Sequence, residues 1–342
     1  MEIRQALAQL TAGTPLSESD SEAVFTQLLA GQLADAQIME LLTLLQVRSP
    51  TVGELTGAAR VMRGNVTKVP TSIPASKILD TCGTGGAQKT FNISTAAAIV
   101  VASTGLLHVA KHGNRSRTGR GSAEVLAQLG VNIDASPQVQ ARCLEEAGVC
   151  FCFAIHHHPA AKFASGPRKA LGFPTIFNLL GPLTNPAGAA RQLIGTYRPE
   201  FVDIMAQTLA RLGSQHAMVV HGEPGLDELS TCGTTKVAHV HARHAGQVLT
   251  VTFDAAKLGF PKASVASIAP TTLEDAAAML INVINGEKGP ARDIVILSSA
   301  AAISLGDNGL SIEQAIPVAQ EVIDSGKTRA TLASLARLSH LE

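Results

Sequence analysis

From Lys77 onward the chain alternates short apolar runs of strand length with segments of helical period. Lys77-Ile78-Leu79-Asp80 reads as a strand, 94–104 as a helix, His108-Val109-Ala110 as a strand and 122–129 as a helix. Further strands are predicted near 149–154, 191–196 and 216–221, with a helix near 199–212. Strands that alternate with helices bury both in one way, an α/β domain around a largely parallel sheet. Late helices near 272–286, 289–304, 311–325 and 327–338 complete the pattern.

The first 65 residues read differently, as helices throughout. Ile3, Leu7 and Leu10 recur at helical spacing, as do Ile38, Leu41, Leu42 and Leu45. Ser17 with Asp20 resembles a capping box with a shorter acid, and Val24, Leu28 and Leu29 follow it. Thr51 with Glu54 is a full capping box, and Gly64 is the expected stop. Such short helices leave apolar faces that need a partner, either the rest of the chain or a second subunit. Pro70 and Pro74 mark a linker, and the segment 172–190, with Pro174, Pro182 and Pro186, is expected to return to the helical unit. The predicted division is therefore 1–73 with 172–190 as a helical domain, and 74–171 with 191–342 as the α/β domain.

Several function classes are disfavoured. Lys plus Arg and Asp plus Glu are both 27 in 342 residues, with no Trp and one Tyr. A nucleic-acid binder needs a basic excess and stacking aromatics. The N-terminus has no basic flank before an apolar segment, and the most apolar stretch, 96–110, is too short to span a bilayer. Five cysteines without a CxxC pair read as reduced thiols of a cytosolic protein, and Cys150-x-Cys152 lies in a strand-like run rather than a zinc knuckle.

The chemistry gathers after the first strand. Gly83-Thr84-Gly85-Gly86 stands between a strand and a helix starting near Ser94-Thr95. Such a turn is either structural or an anion cradle, with the helix N-terminus facing a phosphate. The dinucleotide fingerprint and the Walker A pattern both fail here. From Thr81 to Ala123 there is no Asp or Glu, while Lys89, Lys111, Arg115, Arg117 and Arg120 are present. A concentrated positive field around glycines suits a small polyanion, and Lys111 follows a strand whose carboxyl end should face the ligand. Asp227-Glu228 follows the Gly222–Gly225 loop. By itself the pair reads as a solvated turn; beside a phosphate it suits Mg²⁺, with the Ser94 hydroxyl as a further oxygen. Three consecutive histidines, His156 to His158, diverge too much for a three-histidine metal site, though one would reach a ligand. Arg168 is either a surface arginine or a carboxylate fork.

Taken together, these motifs resemble the anthranilate phosphoribosyltransferase family. The resemblance runs through Gly83-Thr84-Gly85-Gly86, Asn92-Ile93-Ser94-Thr95, Lys111-His112-Gly113-Asn114-Arg115-Ser116, His158-Pro159-Ala160 with Arg168, the run from Phe177 to Pro186, Gly225-Leu226-Asp227-Glu228 and the run from Gly286 to Asp293. It covers nearly the whole chain in order. It implies a small helical domain on a larger α/β domain, homodimeric through the helices. It implies transfer of phosphoribose from phosphoribosyl pyrophosphate to the amine of anthranilate, an early step of tryptophan biosynthesis. Gly83, Gly86, Ala87, Thr90, Asn92, Ile93, Ser94 and Thr95 would hold the donor, with Lys111, His112, Gly113, Asn114, Arg115, Ser116, Arg117, Thr118, Gly119 and Ser122. Ser94, Asp227 and Glu228 would bind Mg²⁺. Asn114 and Arg168 would contact anthranilate, with His158 nearby, and no catalytic base is assigned.

Two loops depart from the family pattern. Ala87-Gln88-Lys89 stands where the family reads Asp-Gly, and Arg117-Thr118-Gly119-Arg120 replaces a longer Val-Ser-Ser-Lys-Ser run. Both changes add positive charge, implying tighter donor binding, altered Mg²⁺ dependence or another acceptor. The same loops resemble those of pyrimidine nucleoside phosphorylases, where Lys89 would face inorganic phosphate. A non-enzymatic nucleic-acid-binding relative is the third alternative.

Overall fold

The computed structural model describes residues 1–116, 119–244 and 247–341. Four helices open the chain: α1 (Ile3–Thr11), α2 (Glu18–Leu29), α3 (Asp35–Arg48) and α4 (Val52–Gly64). Ser17 caps α2 by accepting the Asp20 N–H at 3.1 Å, and Thr51 caps α4. The α4 stop falls at Asn65, one residue beyond the expected Gly64. Glu54 does more than cap. It is fully buried, accepts the Leu16 N–H at 2.9 Å and pairs with Arg48 at 2.5 Å. Gly57 lets α2 and α4 touch, because a Cβ there would collide with the Glu18 carbonyl.

The α/β part begins with β1 (Ile78–Gly83), α5 (Ile93–Ser103), β2 (His108–Gly113), α6 (Ser122–Gln128), α7 (Pro137–Glu146) and β3 (Val149–Phe153). The short α8 (Ala154–His157), then α9 (Lys162–Leu171) and α10 (Ile176–Leu180), lead back through β4 (Arg191–Gly195), α11 (Glu200–Arg211) and β5 (His216–Gly222). A hairpin follows, β6 (Thr235–His241) and β7 (Val248–Phe253). Four helices close the chain: α12 (Leu273–Ile284), α13 (Pro290–Ser304), α14 (Ile312–Asp324) and α15 (Lys327–Ser339).

The seven strands form one sheet in the order β3-β2-β1-β4-β5-β6-β7. The first five are parallel, as the alternation predicted, and β6 and β7 join antiparallel. That hairpin is absent from the sequence expectation. The outer strand β7 is largely exposed, so it carries no continuous apolar run to mark it.

Side chains alternate between two cores along each strand. On β5, Ala217 and Val219 join the core shared with α1–α4, α10 and α11, while Met218 and Val220 join the core with the closing helices. Helix α5 is apolar all round and packs among α12, α13, α14 and α15. Helix α10 packs on α3 and α4, and α9 on α2 and α3. No helix among the described residues is long and apolar enough to cross a membrane.

The strand order places a topological switch between β1 and β4. Connections leave these neighbours toward opposite sides, which opens a crevice at their carboxyl ends. Those ends are Gly83 and Gly195, paired directly in register.

Candidate active site

A cavity of about 1030 Å³ lies over this crevice. Its floor is a notch made by the two glycines. A Cβ on Gly83 would meet Asp227 Oδ2 at 2.7 Å, and one on Gly195 would collide with the Asp227 backbone. Glycine at both strand ends is therefore what admits Asp227 to the sheet edge.

Above the notch runs the glycine turn, with Gly85 at φ +63° and Gly86 at φ +91°, a region that favours glycine. Neighbouring segments fix it. Thr84 donates its N–H to Gly195 O at 2.9 Å, and its hydroxyl accepts the Tyr197 N–H at 3.0 Å. Asn178 donates to Thr84 O at 3.2 Å, Gln88 N–H to Gly225 O at 3.2 Å and Phe91 N–H to Ile268 O at 2.9 Å.

Helix α5 starts at Ile93 with Asn92 before it, one residue earlier than expected. Its first N–H groups do not simply point into the cavity. Ile93 donates to Phe91 O, Thr95 to Asn92 O, and Ser94 to Glu228 Oε1 at 3.0 Å. Glu228 thus takes the anion position at the helix N-terminus, where the positive end of the helix dipole favours it. Asn92 Oδ1 and Thr95 Oγ1 are buried beside it without hydrogen-bond partners, polar atoms that a ligand would satisfy.

The buried ionisable groups set the electrostatics. Lys111 donates to Thr81 O at 2.5 Å and to Ser94 Oγ at 3.1 Å, so its ammonium reaches inward from β2 to β1 and α5. Burial lowers its pKa, against the pull of Asp80, Cys82, Glu228 and Asp227. Burial raises Asp227, countered first by Lys89. Glu228 is pushed up to about 8 by burial and then by Asp227 beside it.

Two histidines, His112 and His158, meet ring to ring at the cavity wall. His112 Nδ1 lies 3.0 Å from Gly181 O, and its Nε2 lies 3.2 Å from His158 Nε2, one ring donating to the other. Burial pushes both pKa values down, that of His158 to about 4. The other two histidines point elsewhere: His156 to Asp134 at 2.7 Å, His157 to Thr67 O and Gln140.

Beyond the donor loops the cavity changes character. Phe173, Pro174, Phe177 and Pro182 give it an apolar wall, with the Arg168 guanidinium 5.0 Å over the Phe177 ring. Apolar faces and a cation thus stand side by side at this end of the cavity.

Of the residues singled out in the sequence, the cavity wall contains Gly83, Gly86, Ala87, Thr90, Asn92 to Thr95, Lys111 to Ser116, Ser122, Arg168, Asp227 and Glu228. His158 stands behind His112 rather than in the wall, and Gly119 is also outside it. Arg117 and Thr118 lie outside the described residues.

Sequence reasoning missed Asp80, fully buried on β1. It accepts the His112 N–H at 3.0 Å and the Asn185 amide at 2.9 Å, and so ties β1, β2 and the 177–186 run together. Asn178 and the apolar wall were missed as contacts, though the run from Phe177 to Pro186, which holds Asn178, Phe177 and Pro182, had been noted as a motif.

The geometry is that of an α/β domain carrying a helical bundle, with a glycine-rich basic cavity at the switch point, and the matching family model is that of a glycosyl transferase class. Residues 75–329 match the glycosyl transferase family a/b domain, and residues 4–65 its helical bundle domain. The chain is 46% identical to the anthranilate phosphoribosyltransferase of Methylococcus capsulatus, covering 99% of this chain and 98% of that one. It is 43% identical to that of Moorella thermoacetica, covering 97% of each. The Thermus thermophilus anthranilate phosphoribosyltransferase structure superimposes with a TM-score of 0.90 at 34% identity, over 98% of this chain and 99% of that one. The Saccharomyces cerevisiae enzyme in complex with PRPP and Mg gives 0.87 at 25% identity, over 98% and 97%. The chain belongs to the anthranilate phosphoribosyltransferase family.

Proposed function

We propose that the chain transfers the phosphoribosyl group of 5-phosphoribosyl 1-pyrophosphate to the amine of anthranilate. The products are N-(5-phosphoribosyl)anthranilate and pyrophosphate, within tryptophan biosynthesis. One observation carries this reading: a half-buried carboxylate pair and a buried lysine meet a glycine turn at one end of a cavity whose other end is an Arg168–Phe177 slot.

The bond from the ribose anomeric carbon to the pyrophosphate oxygen breaks, a bond to the anthranilate nitrogen forms, and that nitrogen sheds one proton to the departing pyrophosphate or to water. Negative charge grows on the leaving group and positive charge on the sugar. The glycine turn, Asn92, Thr95 and the loop from Lys111 to Ser122 bind the donor. Lys111 presents a fixed positive charge without reorganisation as the leaving group departs. Arg168 forks the anthranilate carboxylate, with Asn114 beside it, and Phe177 supports the ring. The aromatic amine is already neutral, so positioning it against the anomeric carbon is the main task, and no side chain is needed as a strong base. His158 holds His112 rather than touching substrate.

The donor set suits Mg²⁺. It is all oxygen, from Ser94, Asp227 and Glu228, and burial penalises both carboxylates unless a cation joins them. Among the described residues no larger cluster of metal-binding side chains forms. A site of two carboxylates that leaves room for waters and substrate oxygens is the usual one for this ion. When bound, Mg²⁺ neutralises charge on the pyrophosphate.

The division into 1–73 with 172–190 and 74–171 with 191–342 belongs to the same reading. So does a cytoplasmic homodimer joined through the helical unit.

Pyrophosphate release from the donor tests the reaction. The expected result is release that requires anthranilate. Thymine formation from thymidine and inorganic phosphate, without anthranilate-dependent release, would replace the reading with a phosphorylase.

A further inference from the structure

Strands β1 and β2 part where the site begins. Their ladder pairs Ile78 with His108 and Leu79 with Val109 and then stops, although both strands run on. On their far sides the pairing continues, Gly83 with Gly195 and Gly113 with Phe153. In a parallel ladder, the residue opposite accepts from the N–H that follows its partner and donates to the carbonyl that precedes it. Carried forward, the β1–β2 register would therefore set Ala110 O and the His112 N–H against the backbone of Thr81.

Two side chains meet these groups. Asp80 Oδ1 accepts the His112 N–H at 3.0 Å, and the Asn185 amide donates to Ala110 O at 2.8 Å. The same amide donates to Asp80 Oδ2 at 2.9 Å, which joins the two side chains into one unit. The Asn185 oxygen accepts the Ala187 N–H at 2.9 Å, so the amide is fixed with its donors toward Asp80 and Ala110. Thr81 O is left without its ladder donor, and Lys111 Nζ takes it at 2.5 Å while reaching Ser94 Oγ at 3.1 Å. With the ladder closed, the His112 N–H would compete for the carbonyl that holds the lysine.

We propose that Asp80 and Asn185 are positioning residues for Lys111. By holding the β2 backbone groups, they free Thr81 O to fix the ammonium where the pyrophosphate departs. Neither residue lines the cavity, so both act through the lysine. This rests on the donor assignment above.

Calorimetric titration of phosphoribosyl pyrophosphate into the full chain at saturating Mg²⁺ tests the proposal. The variants are Asp80→Asn, Asn185→Ser and Lys111→Met, alone and with each of the first two combined with the third. Asp80→Asn puts an amide donor against the Asn185 amide. Asn185→Ser keeps a short oxygen for its own turn but cannot reach Asp80, and its place in a loop carries the test if Asp80→Asn does not fold. Each should weaken donor binding about tenfold beside Lys111 and under about twofold beside Lys111→Met, the non-additivity of residues that act as one unit. KM for anthranilate should stay within about threefold in both single variants.

Equal losses in the two backgrounds would overturn the proposal and make the pair a structural splice of the sheet. So would unchanged donor affinity in the single variants, or a Lys111→Met chain that binds the donor like wild type. A wild-type chain that binds no donor would overturn the donor assignment as well.

Discussion

Replacing Glu228 by glutamine should stabilise the metal-free protein at high pH while crippling it as an enzyme. The Glu228 carboxyl is half-buried, accepts the Ser94 N–H at 3.0 Å and adjoins Asp227. Glutamine keeps the shape and the carbonyl acceptor but cannot ionise. In the folded wild type the carboxyl is held at about 8, against an ordinary 4.5. Below pH 4.5 it is protonated in both folded and unfolded chains and costs nothing. Between 4.5 and 8 the unfolded chain releases the proton and the folded chain keeps it, so stability falls as pH rises. At about 1.4 kcal/mol per pH unit, the loss reaches a ceiling of about 5 kcal/mol near pH 8. The glutamine amide gives back about 1 kcal/mol for its poorly paired N–H groups. Glu228→Gln should therefore be level with or slightly below wild type at pH 4.5, and about 3 to 4 kcal/mol more stable at pH 8. Urea unfolding in EDTA at several pH values, with m unchanged, measures this. A difference that is flat with pH, or a glutamine variant less stable at pH 8, would refute the electrostatic account of the floor.

The acid limb has the opposite sign. His158 is held at about 4 by burial, below its ordinary 6.5, so its contribution is lost as pH falls through that window. His158→Gln should remove up to about 3 kcal/mol of that pH dependence, read from unfolding curves between pH 4 and 7. Arg168→Ala should raise KM for anthranilate by about 10- to 100-fold and leave KM for the donor within about threefold, in steady-state kinetics. Gly195→Ala forces a Cβ into the Asp227 backbone. Thermal melts should show a loss of about 1 to 3 kcal/mol, with a larger fall in activity than Gly181→Ala, where nothing obstructs a Cβ.

The parts of the fold and site that were legible in sequence are those whose cause is local. Strand–helix alternation located α5 and the closing helices, and the strand–glycine–helix order around Gly83 pointed to either a structural turn or an anion cradle at a strand end. The contacts that were not foreseen depend on residues brought together from afar. Nothing near Ser94 in sequence says that Glu228 will occupy its N–H, and nothing near Asp80 says that Asn185 will meet it. Lys111 lines the cavity as expected, but nothing near it in sequence says that Thr81 O and Ser94 Oγ will hold its ammonium. The β6–β7 hairpin escaped notice because its outer strand faces solvent and its alternation is only weakly apolar.

The most direct test of the central claim follows anthranilate fluorescence after mixing with phosphoribosyl pyrophosphate and Mg²⁺. The account predicts a decay that needs both substrates and disappears in the Asp227→Ala, Glu228→Ala double variant. Steady fluorescence, in wild-type protein that calorimetry shows to bind the donor, would contradict anthranilate as the acceptor.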